Sequence, residues 1–291
     1  MFLKQSLLIL LASLVTLYGA ACLVLYVRQT RMIFFPSRTI ETTPGDLGLV
    51  YEDVAVPISL PNSAAKSQVE QLHAWWIPAE GQTQGVLLYL HGNGVNIGAN
   101  AFHASRFQRM GLSVLLIDYR GYGKSEGAFP SEAAVYEDAA AAWQYLTAER
   151  KIDPAQILIY GHSLGGAIAI DLAIRHPTAA GLIVQSSFTS MSNMVHRSTA
   201  FGFLPIDLLL TQRFDSIRKV SQLRMPTLFI HGMEDTRVPA DMSEALYAAA
   251  RQPKRLWLVP YAGHNDVADI AGAEYFRVVE SFLKQYVLVE R

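Results

Sequence analysis

From Ser6 to Val27 the chain carries no charged residue, and most positions are Leu, Ile, Val or Ala. A bilayer core needs about 20 such residues, so the run is long enough to span one. Lys4 precedes it, and Arg28 and Arg31 follow. Three readings compete: a retained single-pass anchor (residues 1–27), a cleaved signal peptide using the small residues Gly19-Ala20-Ala21, and a lipoprotein signal at Ala21-Cys22. The anchor is preferred, because the apolar run continues past the small residues. Gly19 also stands where a lipoprotein signal has a branched aliphatic. A helix so uniformly apolar would need burial on all sides to be part of a core. The flanking basic residues favour a cytoplasmic main domain by a small margin, which leaves the membrane side open.

Residues 28–49 read as a juxtamembrane connector, broken by Pro36, Pro44, Gly45 and Gly48. Within it Phe34-Phe35-Pro36 suits either the headgroup level or packing on the domain. From residue 50 to 291 apolar runs alternate with helical patterns. Strands are predicted at Val50–Val56, Leu72–Ile77, Val86–Leu90, Val114–Ile117, Ile157–Tyr160, Gly181–Gln185, Thr227–Ile230 and Leu256–Val259. A polar turn around Pro61-Asn62-Ser63 separates the first two. Helices are predicted at Ala99–Met110, from Glu132 to about Glu149 with Ser131 as N-cap, after residue 163, at Ala240–Ala250 and at Ala271–Val287. Continuous apolar strands between helices predict an α/β domain, a mostly parallel sheet of about eight strands covered on both faces. Residues 188–222 break the rhythm and are rich in Phe201, Phe203, Leu204, Leu208, Leu209 and Leu210. They read as a helical excursion packed on the domain or as a short apolar lid.

The most informative local stretch is Gly161-His162-Ser163-Leu164-Gly165, set between a strand and a helix. Strand, G-x-S-x-G, helix is a nucleophile elbow, a sharp turn that lifts a serine hydroxyl clear of the sheet. A serine needs a base within hydrogen-bond reach and a third group orienting that base. In an elbow-type sheet these follow in the order Ser, Asp or Glu, then His, on loops after later strands. Asp235, in His231-Gly232-Met233-Glu234-Asp235, is the candidate acid, with Glu234 as its neighbouring substitute. The loop after Gly181–Gln185 offers Ser186-Ser187-Phe188 and no carboxylate. His264 is the only histidine after residue 231 and is the candidate base. The oxyanion donors are assigned to the N–H groups of Leu164 and Asn93, with Gly94 as the fallback for Asn93. Of the other histidines, His91 and His231 read as structural hydrogen-bonders and His162 as the variable residue of the elbow. His73, His103, His176 and His196 read as surface or cap residues.

Composition narrows the classes. With a net charge of -1 and no basic stripe with interleaved aromatics, nothing favours nucleic acid. The one cysteine, Cys22, excludes an intrachain disulfide and a thiolate zinc cluster. No H-E-x-x-H occurs, and the proposed chemistry requires no metal or organic cofactor. Gly123-Lys124-Ser125 ends like a phosphate loop, but Asp118 stands where its first glycine belongs.

Four motifs stand together: His91-Gly92-Asn93-Gly94, Asp118-Tyr119-Arg120-Gly121-Tyr122-Gly123-Lys124-Ser125, Gly161-His162-Ser163-Leu164-Gly165-Gly166, and His231-Gly232 through Asp235, closed by Gly263-His264. In this order they resemble the α/β-hydrolase superfamily over residues 50–291. Their wording, with an N-terminal hydrophobic segment, is similar to a membrane-anchored branch of serine hydrolases related to the eukaryotic depalmitoylating hydrolases. The resemblance implies the α/β-hydrolase fold, the Ser163, Asp235, His264 set, and a lipid-linked or thioester substrate. Members of the superfamily with an aspartate nucleophile are disfavoured by Ser163. The reading is a membrane-anchored serine hydrolase acting on a small-molecule or lipid-like acyl ester or thioester. One rival is an aminopeptidase or amidase, with Asp207 or Asp215 binding a substrate amine. The other is a non-catalytic, membrane-tethered binding protein on the same fold.

Overall fold

The computed structural model describes residues 2–58, 69–198 and 202–287. The expected turn at Pro61–Ser63 and the lid residue Phe201 lie outside the described residues. The chain begins with a 32-residue helix, α1 (Phe2–Ile33), followed by the short strand β1 (Phe35–Pro36), then β2 (Glu52–Ile58), β3 (Glu70–Ile77), β4 (Val86–Leu90) and β5 (Gly94–Val95). Next come α2 (Ala101–Arg109), β6 (Ser113–Ile117), α3 (Glu132–Gln144), β7 (Ile157–His162), α4 (Leu164–Arg175) and β8 (Gly181–Gln185). Three short helices follow, α5 (Met191–Arg197), α6 (Ile206–Leu209) and α7 (Ser216–Lys219). The chain closes with β9 (Thr227–Gly232), α8 (Asp241–Ala249), β10 (Lys254–Val259), α9 (Val267–Ala271) and α10 (Ala273–Phe282).

Eight of these strands form one sheet in the order β10-β9-β8-β7-β4-β6-β3-β2. All neighbours from β10 to β6 are parallel, and β3 and β2 add an antiparallel edge. Each predicted strand is present, with ends shifted by no more than two residues. Strands β4, β6 and β8 are buried at every position, as expected where helices cover both faces. Val135 and Ala139 of α3, Ile168 of α4 and Leu246 of α8 pack on one face. Phe107 of α2 and Tyr275 and Phe282 of α10 pack on the other. The fold is that of an α/β-hydrolase with an N-terminal apolar helix.

Several elements depart from the sequence reading. Ser131 caps α3 as expected, accepting from the Ala134 N–H, but the helix ends at Gln144 and continues as one wider π-type turn, Tyr145–Glu149. The closing helix is broken at Gly272, whose φ of 53° separates α9 from α10. The segment 28–49 is not a free connector. Helix α1 runs through Arg28 and Arg31 to Ile33, Phe34 is buried against Phe214 in an edge-on contact at 6.1 Å, and β1 pairs in parallel with β5. Of the two readings for Phe34-Phe35-Pro36, Phe34 takes domain packing and Phe35 stays exposed.

Chain order decides where the site lies. After β4 the chain adds β6 on one side, then crosses to lay β7 on the other. Between β4 and β7 the loops at the strand ends diverge and leave a crevice, the position where open α/β sheets bind ligands. The His91–Gly94 loop and the elbow both open there.

Candidate active site

Ser163 occupies the turn between β7 and α4 with φ 54° and ψ -120°, a region that side chains rarely adopt. The turn closes because Gly161 and Gly165 face backbone at short range. A Cβ on Gly161 would collide with the Gly165 carbonyl, and one on Gly165 with the Leu90 carbonyl. Three bonds buttress the turn: the Ser163 N–H donates to the Gln185 carbonyl at 2.9 Å, the Gly166 N–H to the Ser163 carbonyl at 2.9 Å, and Ser187 Oγ to that same carbonyl at 2.9 Å. The loop after β8, which offered no carboxylate, therefore supports the elbow.

Asp235 and His264 come to Ser163 from the loops after β9 and β10. The Ser163 Oγ stands 3.0 Å from His264 Nε2, and His264 Nδ1 donates to Asp235 Oδ2 at 2.6 Å. Asp235 Oδ1 accepts from the N–H groups of Arg237 (2.9 Å) and Val238 (2.8 Å). Burial pushes the Asp235 carboxyl up, but hydrogen bonds from His231, His264 and the Val238 N–H outweigh it and hold it well below the usual carboxylate range. Glu234, the substitute acid, is exposed and bonds its own N–H to the Ala262 carbonyl.

The Leu164 N–H opens α4, and Asn93 ends the loop after β4. Among the described residues neither N–H has a protein partner. Both residues line a cavity of about 360 Å³ together with Ser163 and His264. Its remaining wall is mostly apolar: Met32, Ile33, Phe35, Phe188, Met191 and Met194. A second cavity of about 290 Å³ also reaches Ser163 and is the more polar of the two, with Asn100, His103, His162, Gln185 and Asn265 beside Tyr89, Val95, Ala99 and Tyr160. Arg237, Asn93 and Gly94 line both. Among the described residues no carboxylate lines either cavity.

Three histidines have more specific places than the sequence suggested. His162, read as the variable elbow residue, donates from Nε2 to the His264 carbonyl at 3.0 Å, with ring centroids 5.1 Å apart. Desolvation and the neighbouring His264 hold its pKa down to about 3. His231 places Nε2 3.1 Å from Asp235 Oδ2. His103, read as a surface or cap residue, lines the polar cavity beside Arg106, and desolvation followed by Arg106 brings its pKa down to about 4. The signal for His162 and His231 was their adjacency to Ser163 and Asp235 in the motifs. Asp207 and Asp215, the amine-binding candidates, line a separate surface pocket with Ser190 and Arg213. There Asp207 is held by Ser192 and His196.

Residues 81–217 match the family model described as serine aminopeptidase, S33. The chain is 36% identical over 261 residues to an uncharacterized protein of Mycobacterium tuberculosis, covering 89% of this chain and 88% of that one. It is 34% identical over 200 residues to alpha/beta hydrolase domain-containing protein 17B of Xenopus laevis, covering 68% of this chain and 66% of that protein. An esterase of Pyrococcus furiosus superposes with a TM-score of 0.70 over 88% of this chain and 98% of its own, at 20% identity. The chain belongs to the α/β-hydrolase superfamily, and it is a hydrolase.

Proposed function

We propose that the protein is a membrane-anchored serine hydrolase that cleaves a carboxylic ester or thioester through an acyl-enzyme. The carrying observation is the continuous hydrogen-bond chain from Ser163 Oγ through His264 to a charged Asp235, at the junction of one apolar and one polar cavity. Ser163 Oγ attacks the substrate carbonyl carbon while His264 Nε2 takes its proton. The negative charge that develops on the carbonyl oxygen is met by the N–H groups of Leu164 and Asn93, each worth about 2.7–4 kcal/mol to the transition state. The imidazolium, held by Asp235, passes its proton to the leaving oxygen or sulfur as that bond breaks. Water then attacks the acyl-enzyme with His264 again as base, releasing the acid and restoring Ser163 Oγ–H.

The two cavities divide the substrate. The apolar one suits a hydrocarbon acyl group, and the polar one suits a leaving group with hydrogen-bonding atoms. An aminopeptidase would be expected to hold the substrate ammonium with a carboxylate. The lack of one in either cavity among the described residues supports the ester or thioester reading. The family model's description keeps the amide reading as the comparison to test. Helix α1 contains a span-length apolar stretch of which none is buried in the protein. Its last turn is bonded into the domain. Together these support a retained anchor.

The test is a panel of acyl esters, acyl thioesters and aminoacyl amides, run on the full chain in detergent with Ser163→Ala as control. Faster Ser163-dependent turnover of esters or thioesters supports the proposal. Preference for aminoacyl amides would replace it with the peptidase reading.

A further inference from the structure

The N-terminal helix does more than end near the site. Its C-terminal end is fastened to the domain through Gln29, Arg31 and Ile33. The Gln29 side chain is buried, with its oxygen accepting from the N–H groups of Thr211 (2.8 Å) and Gln212 (3.1 Å). The Arg31 guanidinium lies over the Phe129 ring at 4.7 Å. The Ile33 carbonyl accepts from the Asn93 side-chain amide at 2.7 Å. Phe34 is buried, and the Phe35 N–H donates to the Asn93 carbonyl at 2.9 Å. Tyr122 Oη donates to that carbonyl at 2.7 Å. Asn93 is thus held at its side chain and its carbonyl, while its N–H has no protein partner. The same helix end supplies Met32 and Ile33, and β1 supplies Phe35, to the wall of the apolar cavity.

We infer that the last turn of α1, with Phe35, is a working part of the hydrolytic site: it positions the loop that carries the Asn93 N–H, and it forms the wall that reads the length of the acyl group. This rests on the serine-hydrolase reading above. An oxyanion donor acts through its position, and a displacement of about 1 Å near a reacting centre costs up to about 10²-fold in rate. Three hydrogen bonds from segments distant in sequence fix Asn93, and two of them come from residues 33–35. Hydrophobic walls discriminate chains by the space they leave, about 10- to 200-fold per misfit group. Met32 is half-exposed and outside the main core, so it can be enlarged without disturbing the fold.

The experiment uses the full chain in detergent micelles with p-nitrophenyl esters from acetate to dodecanoate. Met32→Trp is expected to lower the ratio of kcat/KM for dodecanoate to kcat/KM for acetate about tenfold or more. Asn93→Ala keeps the N–H but loses the bond to Ile33, and Tyr122→Phe loses the bond to the Asn93 carbonyl. Both are expected to lower kcat on acetate about tenfold, with KM and melting temperature little changed. A length profile unchanged by Met32→Trp, or full kcat in both Asn93→Ala and Tyr122→Phe, overturns the inference. The outcomes also separate it from the reading beneath it. If turnover survives Ser163→Ala, both fail. If turnover depends on Ser163 but neither the length profile nor kcat responds, only this inference fails.

Discussion

His231 and His264 share one oxygen of Asp235: His231 Nε2 lies 3.1 Å and His264 Nδ1 2.6 Å from Oδ2. His231 Nε2 is also 2.8 Å from the Val238 carbonyl, which can only accept, so this nitrogen carries the hydrogen. Its Nδ1 is 2.6 Å from Ser243 Oγ, which fixes the ring. The second histidine satisfies a buried carboxylate without competing for the proton that His264 moves.

Replacing it separates support from catalysis. His231→Phe is expected to cost about 1.5–3 kcal/mol of stability, the usual worth of a hydrogen bond to a charged group. Its kcat should fall much less than in Asp235→Asn, for which about 10⁴-fold is expected. Denaturant unfolding and steady-state kinetics on the three proteins check this. Equal losses of kcat would mean that His231 takes part in the proton transfer.

His162 predicts an acid dependence. Its folded pKa is about 3 against 6.5 for the free side chain. Between those values the unfolded chain binds a proton that the folded one does not, so stability falls as pH falls through the window. His103, held down to about 4, acts in the same direction. Each contributes up to about 1.4 kcal/mol per pH unit. The melting temperature should therefore drop from pH 6.5 to 4.5, and His162→Gln should flatten that slope. An unchanged slope in His162→Gln would refute the assignment.

The elbow glycines predict a folding defect. A Cβ at Gly165 would meet the Leu90 and His91 carbonyls, which belong to β4 and its loop and have no side-chain freedom to yield. Gly165→Ala is expected to cost about 3 kcal/mol or more, read as loss of soluble, cooperatively melting protein. Ser163→Ala, at a half-buried hydroxyl, should melt like the native chain.

What the sequence made legible follows from the range over which each feature is determined. The central parallel strands were readable because their apolar runs are continuous and bounded by turns. The elbow was readable because strand, G-x-S-x-G and helix lie within one short stretch. His264 was readable because it has no rival after residue 231. The fastening of Asn93 by Ile33 and Phe35 was not, because it joins side chains and carbonyls about 60 positions apart and leaves no local pattern. The helix was expected to stop at the first charges, yet Gln29 finds partners in the segment before α7 and lets it continue to Ile33. His162 was passed over because the elbow pattern constrains its neighbours and says nothing of its ring.

The most direct measurement is covalent labelling by a fluorophosphonate probe, which reports an activated serine without knowledge of the substrate. The native full chain, Ser163→Ala and His264→Ala would be compared, each shown to be folded by its melting transition. Strong labelling of the native chain, none of Ser163→Ala, and at most a trace in His264→Ala are expected. Absence of labelling in a folded native chain, or labelling that survives Ser163→Ala, would contradict the serine-hydrolase reading.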